Sequence, residues 1–180
     1  MEPQRILLVD DEPHVLAALQ RALRLHFGQA LRIETNVDAA DALLRARART
    51  WDLVISDYRM PRMNGLEFLR GVRALQPHIV RIVLSASSDL STIMRAVNEV
   101  GVFRYLIKPW VGEQLIEHVS AALRHAQEMA SQRELADAMR VQRGELGAAA
   151  AEAHRLEQFE PGITHVDWGP NGEVLMPPLK

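Results

Sequence analysis

The sequence predicts an open α/β fold, a parallel sheet covered by helices on both faces. Two observations predict it: five short apolar runs recur along the first two thirds of the chain, and a stretch of helical periodicity separates each run from the next. A third is that the joining segments are short, which leaves little but right-handed crossovers between parallel strands. At 180 residues the chain has room for one ordinary domain of ~100–150 residues plus an appendage.

Arg5 to Val9 is an apolar strand that ends in Asp10-Asp11-Glu12. Pro13 then opens a helix whose apolar residues Val15, Leu16, Leu19, Leu23 and Phe27 recur at helical spacing, with Gly28 as its stop. Leu31 to Thr35 is the second strand, and Asn36 or Asp38 caps a helix to about Arg47. Leu53-Val54-Ile55 is a partly β-branched run of the kind buried on both faces of a parallel sheet, and Asp57 arrives as it ends. Pro61 and Asn64-Gly65 break regular structure, so Asp57 opens an irregular loop; read alone, it equally suits a helix cap. A third helix follows from Gly65 through Leu66, Leu69, Val72 and Leu75, until Pro77 ends it. Ile79 to Leu84 is the fourth strand, closing in Ser85-Ala86-Ser87-Ser88, and Asp89 lies near the start of a helix to about Val100. Val102 to Ile107 is the fifth strand and reaches Lys108-Pro109.

Asp10-Asp11, Asp57, Ser85 and Lys108 thus fall at the C-terminal ends of strands one, three, four and five. In a flavodoxin-like doubly wound sheet of order 2-1-3-4-5, strand one neighbours strand three and the ligand crevice opens between them. Three carboxylates in one crevice repel one another, which protonation of one or a bound hard cation relieves; a divalent ion is the better fit, and oxygen ligands without His or Cys point to magnesium. Lys108 adds an ammonium and Ser85 a hydroxyl. Together they form a cradle for a phosphoryl group, whose transfer needs positioning and charge neutralisation, with Asp57 as nucleophile. Each member also has an ordinary reading, as cap, loop hydroxyl or turn residue. Of 21 basic residues 19 are Arg, and Lys108 is the one internal Lys, a bias that fits a compact ammonium at this position and equally chance usage.

Composition excludes several other classes. A net charge of -2 gives no general attraction to nucleic acid or anionic membrane, and the absence of cysteine removes disulfides, thiol catalysis and thiolate metal sites. No apolar run approaches the ~18 residues of a membrane span, and Met1-Glu2-Pro3 lacks the features of a signal peptide, so a cytoplasmic location is expected.

The stretches L-L-V-D-D-E at 7–12, D-Y-R-M-P-R-M-N-G at 57–65, S-A at 85–86 and Y-L-I-K-P at 105–109 resemble the receiver domain of bacterial two-component response regulators over roughly residues 4–125. The resemblance implies that Asp57 accepts phosphate from a histidine kinase or phosphotransfer protein. It implies that Asp11, Asp57 and the backbone carbonyl of Arg59 ligate Mg2+, with Asp10 acting through a water. Lys108 would pair with the phosphoryl group, Ser85 would hydrogen-bond it, Tyr105 would be the switch aromatic, and the Lys108-Pro109 peptide would be cis. No enzymatic turnover beyond self-phosphorylation and self-dephosphorylation is expected. Trp110 after Lys-Pro is similar to receivers attached to cyclic-dinucleotide phosphodiesterase or hydrogenase-regulator outputs, although no such output is recognisable in the chain. A small magnesium-dependent aspartyl phosphatase would need an acid where Arg59 stands, and an adaptor that never takes phosphate is the other rival.

Beyond Gly112 the helical pattern continues past a normal final helix. Ile116, Val119, Leu123 and Ala126 suit docking on the sheet, whereas Leu135, Met139, Gln142, Leu146, Ala149, Ala153 and Leu156 follow a/d spacing in a shifted phase. A coiled-coil homodimer is expected there, weakened near 144–147 by Gly144 and Gly147, with a solvated linker helix as the alternative. The tail is rich in Pro and Gly, and Thr164 to Trp168 with Glu173 to Met176 has the pattern of a β-hairpin. The expected division is 1–125 for the receiver, 126–158 for the helical extension and 159–180 for the tail. No helix-turn-helix pattern or basic recognition helix is present, so direct DNA contact is not expected; the downstream partner is a protein.

Overall fold

β3 (Leu53–Asp57) and β4 (Val80–Ser85) are buried at every position, the apolar runs 53–55 and 82–84 and the polar Ser56, Asp57, Arg81 and Ser85 with them. With β1 (Gln4–Val9), β2 (Leu31–Asn36) and β5 (Arg104–Ile107) they form a parallel sheet of order β2-β1-β3-β4-β5. The computed structural model describes residues 3–86, 96–144 and 147–159.

Alternation along the strands sorts the core into two layers. Ile6, Leu8, Ile55, Ile82 and Leu84 pack against α1 (Pro13–Phe27) and the first half of α4 (Gly112–Gln142), through Leu16, Leu19, Leu23, Leu115, Val119 and Leu123. Leu7, Val9, Val54 and Val83 face α2 (Ala39–Ala48) and α3 (Gly65–Leu75), through Ala39, Ala42, Leu66, Phe68, Leu69 and Val72. Trp110 is partly buried against the first layer, the packing role that its position before α4 suggests.

Helix starts follow local chemistry. Asp38, not Asn36, caps α2 by accepting from the N–H groups of Ala40 and Asp41, while Asn36 ends β2 and accepts from Asp38 N–H. Asn64 caps α3 in a reciprocal box with Glu67. Gly28, at φ +56, stops α1.

The boundaries of β1, β2 and β4 shift by one residue from expectation, and two differ by more. β5 starts at Arg104 rather than Val102, because Gly101, at φ +65, turns the chain just before the ladder begins. The helix expected from Asp89 to Val100 is described only over Ala96–Val100, where it is a π-type turn; Ser87, Ser88 and Asp89 lie outside the described residues.

α4 runs for 31 residues. Its last buried residue is Ala126, where the sheet-docking periodicity was expected to end. The helix stops at Gln142, with Gly144 at φ +72, and the chain resumes as α5 (Ala148–Phe159), so the break falls at the glycine-weakened stretch. α5 folds back antiparallel onto the end of α4: His154 Nδ1 lies 3.9 Å from Asp137 Oδ2, and Ala151, Glu152 and Arg155 share a cleft with Glu134, Asp137, Ala138 and Val141. The tail segments Thr164–Trp168 and Glu173–Met176 lie outside the described residues, as does Leu146. Among the described residues no helix is long and apolar enough to cross a membrane.

The loop after β3 is closed by the direct approach of Gly65 to the strand end. Gly65 N–H donates to the Tyr58 carbonyl at 2.9 Å, and a Cβ there would overlap the Asp57 carbonyl oxygen and sit 2.9 Å from its carbon. Both obstacles are backbone and cannot rotate away. Gly65→Ala is therefore expected to cost about 3 kcal/mol, at the upper end of overpacking substitutions. Gly112→Ala, whose Cβ would meet nothing within 4 Å, should leave stability unchanged or slightly raised. Urea unfolding of the two variants beside the parent checks this, and equal midpoints for Gly65→Ala and the parent would refute it.

Candidate functional site

Sheet register decides which side chains meet. Val9 pairs with Asn36 and Ser56, Asp57 with Leu84, and Ser85 with Ile107, so Asp10, Asp57, Ser85 and Lys108 emerge along one edge. The Lys108 N–H donates to the Ser85 carbonyl at 2.8 Å, which carries the β5 end one step further along β4, and the Lys108-Pro109 peptide that follows is cis.

At the centre is the Lys108 ammonium. Its Nζ donates to Asp10 Oδ2 at 2.6 Å and pairs with Asp57 Oδ1 at 2.5 Å, while Glu12 Oε1 stands 4.0 Å away. The remaining carboxylate oxygens are held by backbone: Glu12 N–H donates to Asp10 Oδ1 at 3.0 Å and Arg59 N–H to Asp57 Oδ2 at 2.6 Å. Asp10 is 1% exposed and Asp57 5% exposed, so neither charge is screened by bulk water. Asp57 caps no helix, since Asn64 does that for α3; the carboxylate is left for the crevice.

Electrostatics follow from this geometry. Burial pushes the Asp57 carboxyl above the ordinary carboxylate range, and the like charge of Asp10 adds to it, against the opposing Lys108 ammonium and Arg59 N–H. Burial by itself would lower Lys108, but its hydrogen bonds to Asp10 and Asp57 and their charges outweigh that and hold the ammonium above its usual value. One cation shared by two buried anions leaves one negative charge uncompensated.

The other expected residues are placed as follows. Ser85 is buried at the end of β4, beside the Asp57 strand end. Asp11 is partly exposed next to the Asp10–Lys108–Asp57 group and makes no hydrogen bond within it. Tyr105 lies on β5 opposite Val83, partly buried against the α2/α3 layer. The exposed Arg59 contributes its N–H to Asp57. Among the described residues no three acidic or imidazole side chains converge closely enough to enclose an ion. The groups present fit a hard divalent cation in kind: the buried carboxylates of Asp10 and Asp57 carry net negative charge against the single Lys108 ammonium.

Two contributors escaped sequence reasoning. Glu12 completes an acidic rim around Lys108, and its signal was the third acid of Asp10-Asp11-Glu12. Gly65 acts through its missing Cβ, where the sequence showed only a breaker.

Comparison with known proteins bears on the family and the fold. The profile of the response regulator receiver domain matches residues 6–120. The chain is 40% identical over 118 residues to the hydrogenase transcriptional regulatory protein HoxA of Cupriavidus necator, covering 66% of this chain and 24% of that protein. It is 34% identical over 154 residues to the transcriptional regulatory protein ZraR of Salmonella typhimurium, covering 86% of this chain and 34% of that protein. The chain therefore spans about a quarter to a third of the length of these curated relatives. Among solved structures, the signal receiver domain of an HD domain-containing protein from Pseudomonas fluorescens superposes with a TM-score of 0.65 at 34% identity, covering 70% of this chain and 98% of that one. The chemotaxis protein CheY4 of Vibrio cholerae superposes at 0.62 with 27% identity, covering 67% and 99%.

The raised Asp57 fixes a sign for stability. A carboxyl whose folded value lies above its ordinary 3.8 destabilises the fold fully once pH exceeds the folded value, and not at all below the ordinary one. Asp57→Asn is thus expected to raise the thermal midpoint at pH 7, with the gain fading as pH falls toward 3.8. Calorimetric scans of parent and variant from pH 4 to 8 check it. A lower midpoint for the variant at pH 7 would show that the Lys108 pair outweighs the burial of the charge.

Proposed function

The chain belongs to the response regulator receiver family, and from that membership together with the site geometry we propose that Asp57 accepts a phosphoryl group from a histidine kinase or phosphotransfer protein. The observation that carries the reading is the Lys108 ammonium against Asp57 Oδ1, on a buried carboxylate at the mouth of β3. In the transfer a carboxylate oxygen forms the new P–O bond. The donor's P–N bond breaks, and its electron pair stays on the imidazole.

Each residue has a role set by its place. Lys108 is already within contact distance of the attacking group and can follow the charge onto the phosphoryl oxygens. Arg59 N–H fixes the second carboxylate oxygen and so orients the first. Asp10, Asp11, Asp57 and the Arg59 carbonyl would hold Mg2+, which when bound supplies positive charge for the phosphoryl oxygens. Ser85 is the hydroxyl neighbour that would turn to the modified Asp57, with Tyr105 on the adjacent strand moving as Ser85 moves. A phosphoryl group adds about -1.5 to -2 charges and new acceptor oxygens, enough to bias a two-state loop. The output in this reading is a changed contact with a second copy or a downstream protein.

Incubation with acetyl phosphate and Mg2+ followed by intact mass is expected to show one phosphoryl adduct, absent in Asp57→Asn. Absence of the adduct in the parent would leave an adaptor, and sustained turnover of a phosphate ester would instead make the chain a phosphatase. Lys108→Arg tests the positioning of the cation. A planar guanidinium is too large to sit 2.5–2.6 Å from both carboxylates as the ammonium does, so charge is kept and geometry lost. A misplacement of about 1 Å predicts a phosphorylation rate lower on the order of 100-fold. A parental rate in Lys108→Arg would show that the cradle needs only a positive charge.

A further inference from the structure

The α4–α5 hairpin leaves a stripe of apolar side chains that its own packing does not use. Leu135 is 58% exposed, Met139 48% and Leu156 39%, and Gln142 and Ala149 are exposed beside them. These belong to the heptad stripe of the sequence, Leu135, Met139, Gln142, Leu146, Ala149, Ala153 and Leu156. The hairpin is closed by another set: Glu134, Asp137, Ala138 and Val141 on α4 against Ala151, Glu152 and Arg155 on α5, around a cleft of about 370 Å3.

At 3.6 residues per turn, the stripe on α4 lies about 120° around the axis from the face that meets α5, and the stripe on α5 lies about 120° from the face that meets α4. Both rotations have the same sense when followed from N- to C-terminus. In antiparallel helices, equal rotations of one sense bring the two stripes to the same side of the pair. The closed hairpin therefore presents one two-helix apolar face. A helix at the corner of a four-helix bundle touches one neighbour within its hairpin and another across the bundle, roughly 90° apart; an offset of about 120° meets this with the two stripes splayed slightly outward.

We propose that this face packs on the same face of a second copy of the chain, so that two closed hairpins form an antiparallel four-helix bundle with two-fold symmetry. The inference rests on the reading that the chain self-associates beyond Ala126, and replaces a two-stranded coiled coil by a bundle. Self-complementarity favours a second copy: the apolar stripe spans both helices, and a two-fold axis sets the α4 stripe of one chain against the stripe of the other. α5 has twelve residues and is about 18 Å long, so the interface is at the small end for a specific dimer and a dissociation constant in the micromolar range is expected.

The chain has no cysteine, so a cross-link can be placed without background. Ala138→Cys with Ala151→Cys, joined by a short bis-maleimide across the cleft, locks the hairpin closed. Light scattering over about 1–500 µM should show the mass of two chains for both the linked and the unlinked protein, with dissociation constants within about threefold of each other. Met139→Glu with Leu156→Glu, at exposed positions where folding is not at risk, should weaken the dimer at least tenfold while leaving helicity and the Asp57 adduct unchanged. A dimer that forms only when the hairpin is unlinked would overturn the bundle in favour of straightened helices, leaving self-association standing. A dimer indifferent to Met139→Glu and Leu156→Glu would move the interface elsewhere. Monomers under every condition would sink self-association itself, while the Asp57 adduct reports separately on phosphate acceptance.

Discussion

Everything at the site depends on a single ammonium shared between two buried carboxylates. Lys108 ties the end of β5 to Asp10 after β1 and Asp57 at the end of β3, and so braces the mouth of the sheet across β4. Ion pairs at such depth are costly to desolvate and stabilise only when every lone pair is met. Here the backbone N–H groups of Glu12 and Arg59 meet the oxygens that Lys108 does not. Two anions against one cation still leave the pocket net negative. That imbalance is destabilising for the resting fold, and in the proposed function it would favour a further cation beside a carboxylate that is held ready for the phosphoryl group.

The loop that carries Asp57 is fixed from below by backbone rather than by side chains. Tyr58 N–H continues the ladder to Leu84, Gly65 returns to the Tyr58 carbonyl, and the Asn64–Glu67 box starts α3 immediately afterwards. Strand end, loop and helix start are thereby one unit, with Leu66, Phe68 and Leu69 anchoring it in the core. A carboxylate held in one fixed position needs support on rigid elements. The missing side chain at Gly65 is as much a part of that support as the groups that are present.

Most of the sheet and its edge were legible because strands buried on both faces read as apolar runs, and because the functional groups follow those runs directly in sequence. Asp57 after Leu53-Val54-Ile55 and Lys108 after β5 needed no tertiary information beyond strand order. Contacts made by backbone were not legible. Whether Arg59 turns its N–H or its carbonyl to Asp57, and whether Gly65 touches the strand end, depends on loop torsions that composition does not encode. The start of β5 was displaced for a similar reason, a positive φ at Gly101. In the extension, Gly144 and Gly147 marked the weak point, but the reversal of α5 onto α4 is a choice between packing in cis and running straight, and heptad spacing is compatible with both.

The extension is joined to the site by the shortest covalent path in the molecule. α4 begins at Gly112, four residues after Lys108, and continues without interruption through the sheet-docked stretch to the hairpin. Leu115, Val119, Leu123 and Ala126 bind its first half to β1, β3 and β4, and the Gln4 side chain donates to the Leu123 carbonyl. Beyond Ala126 the helix is held more lightly. Arg133, partly buried, stands in the field of Asp52, whose own carboxyl is pushed up by burial and hydrogen-bonded by Arg5 N–H. A helix of 31 residues spans about 46 Å; the stretch to Ala126 is docked on the sheet, and the residues from there to Gln142 run about 24 Å beyond it. The hairpin is at the tip of the helix, where the apolar stripe is exposed.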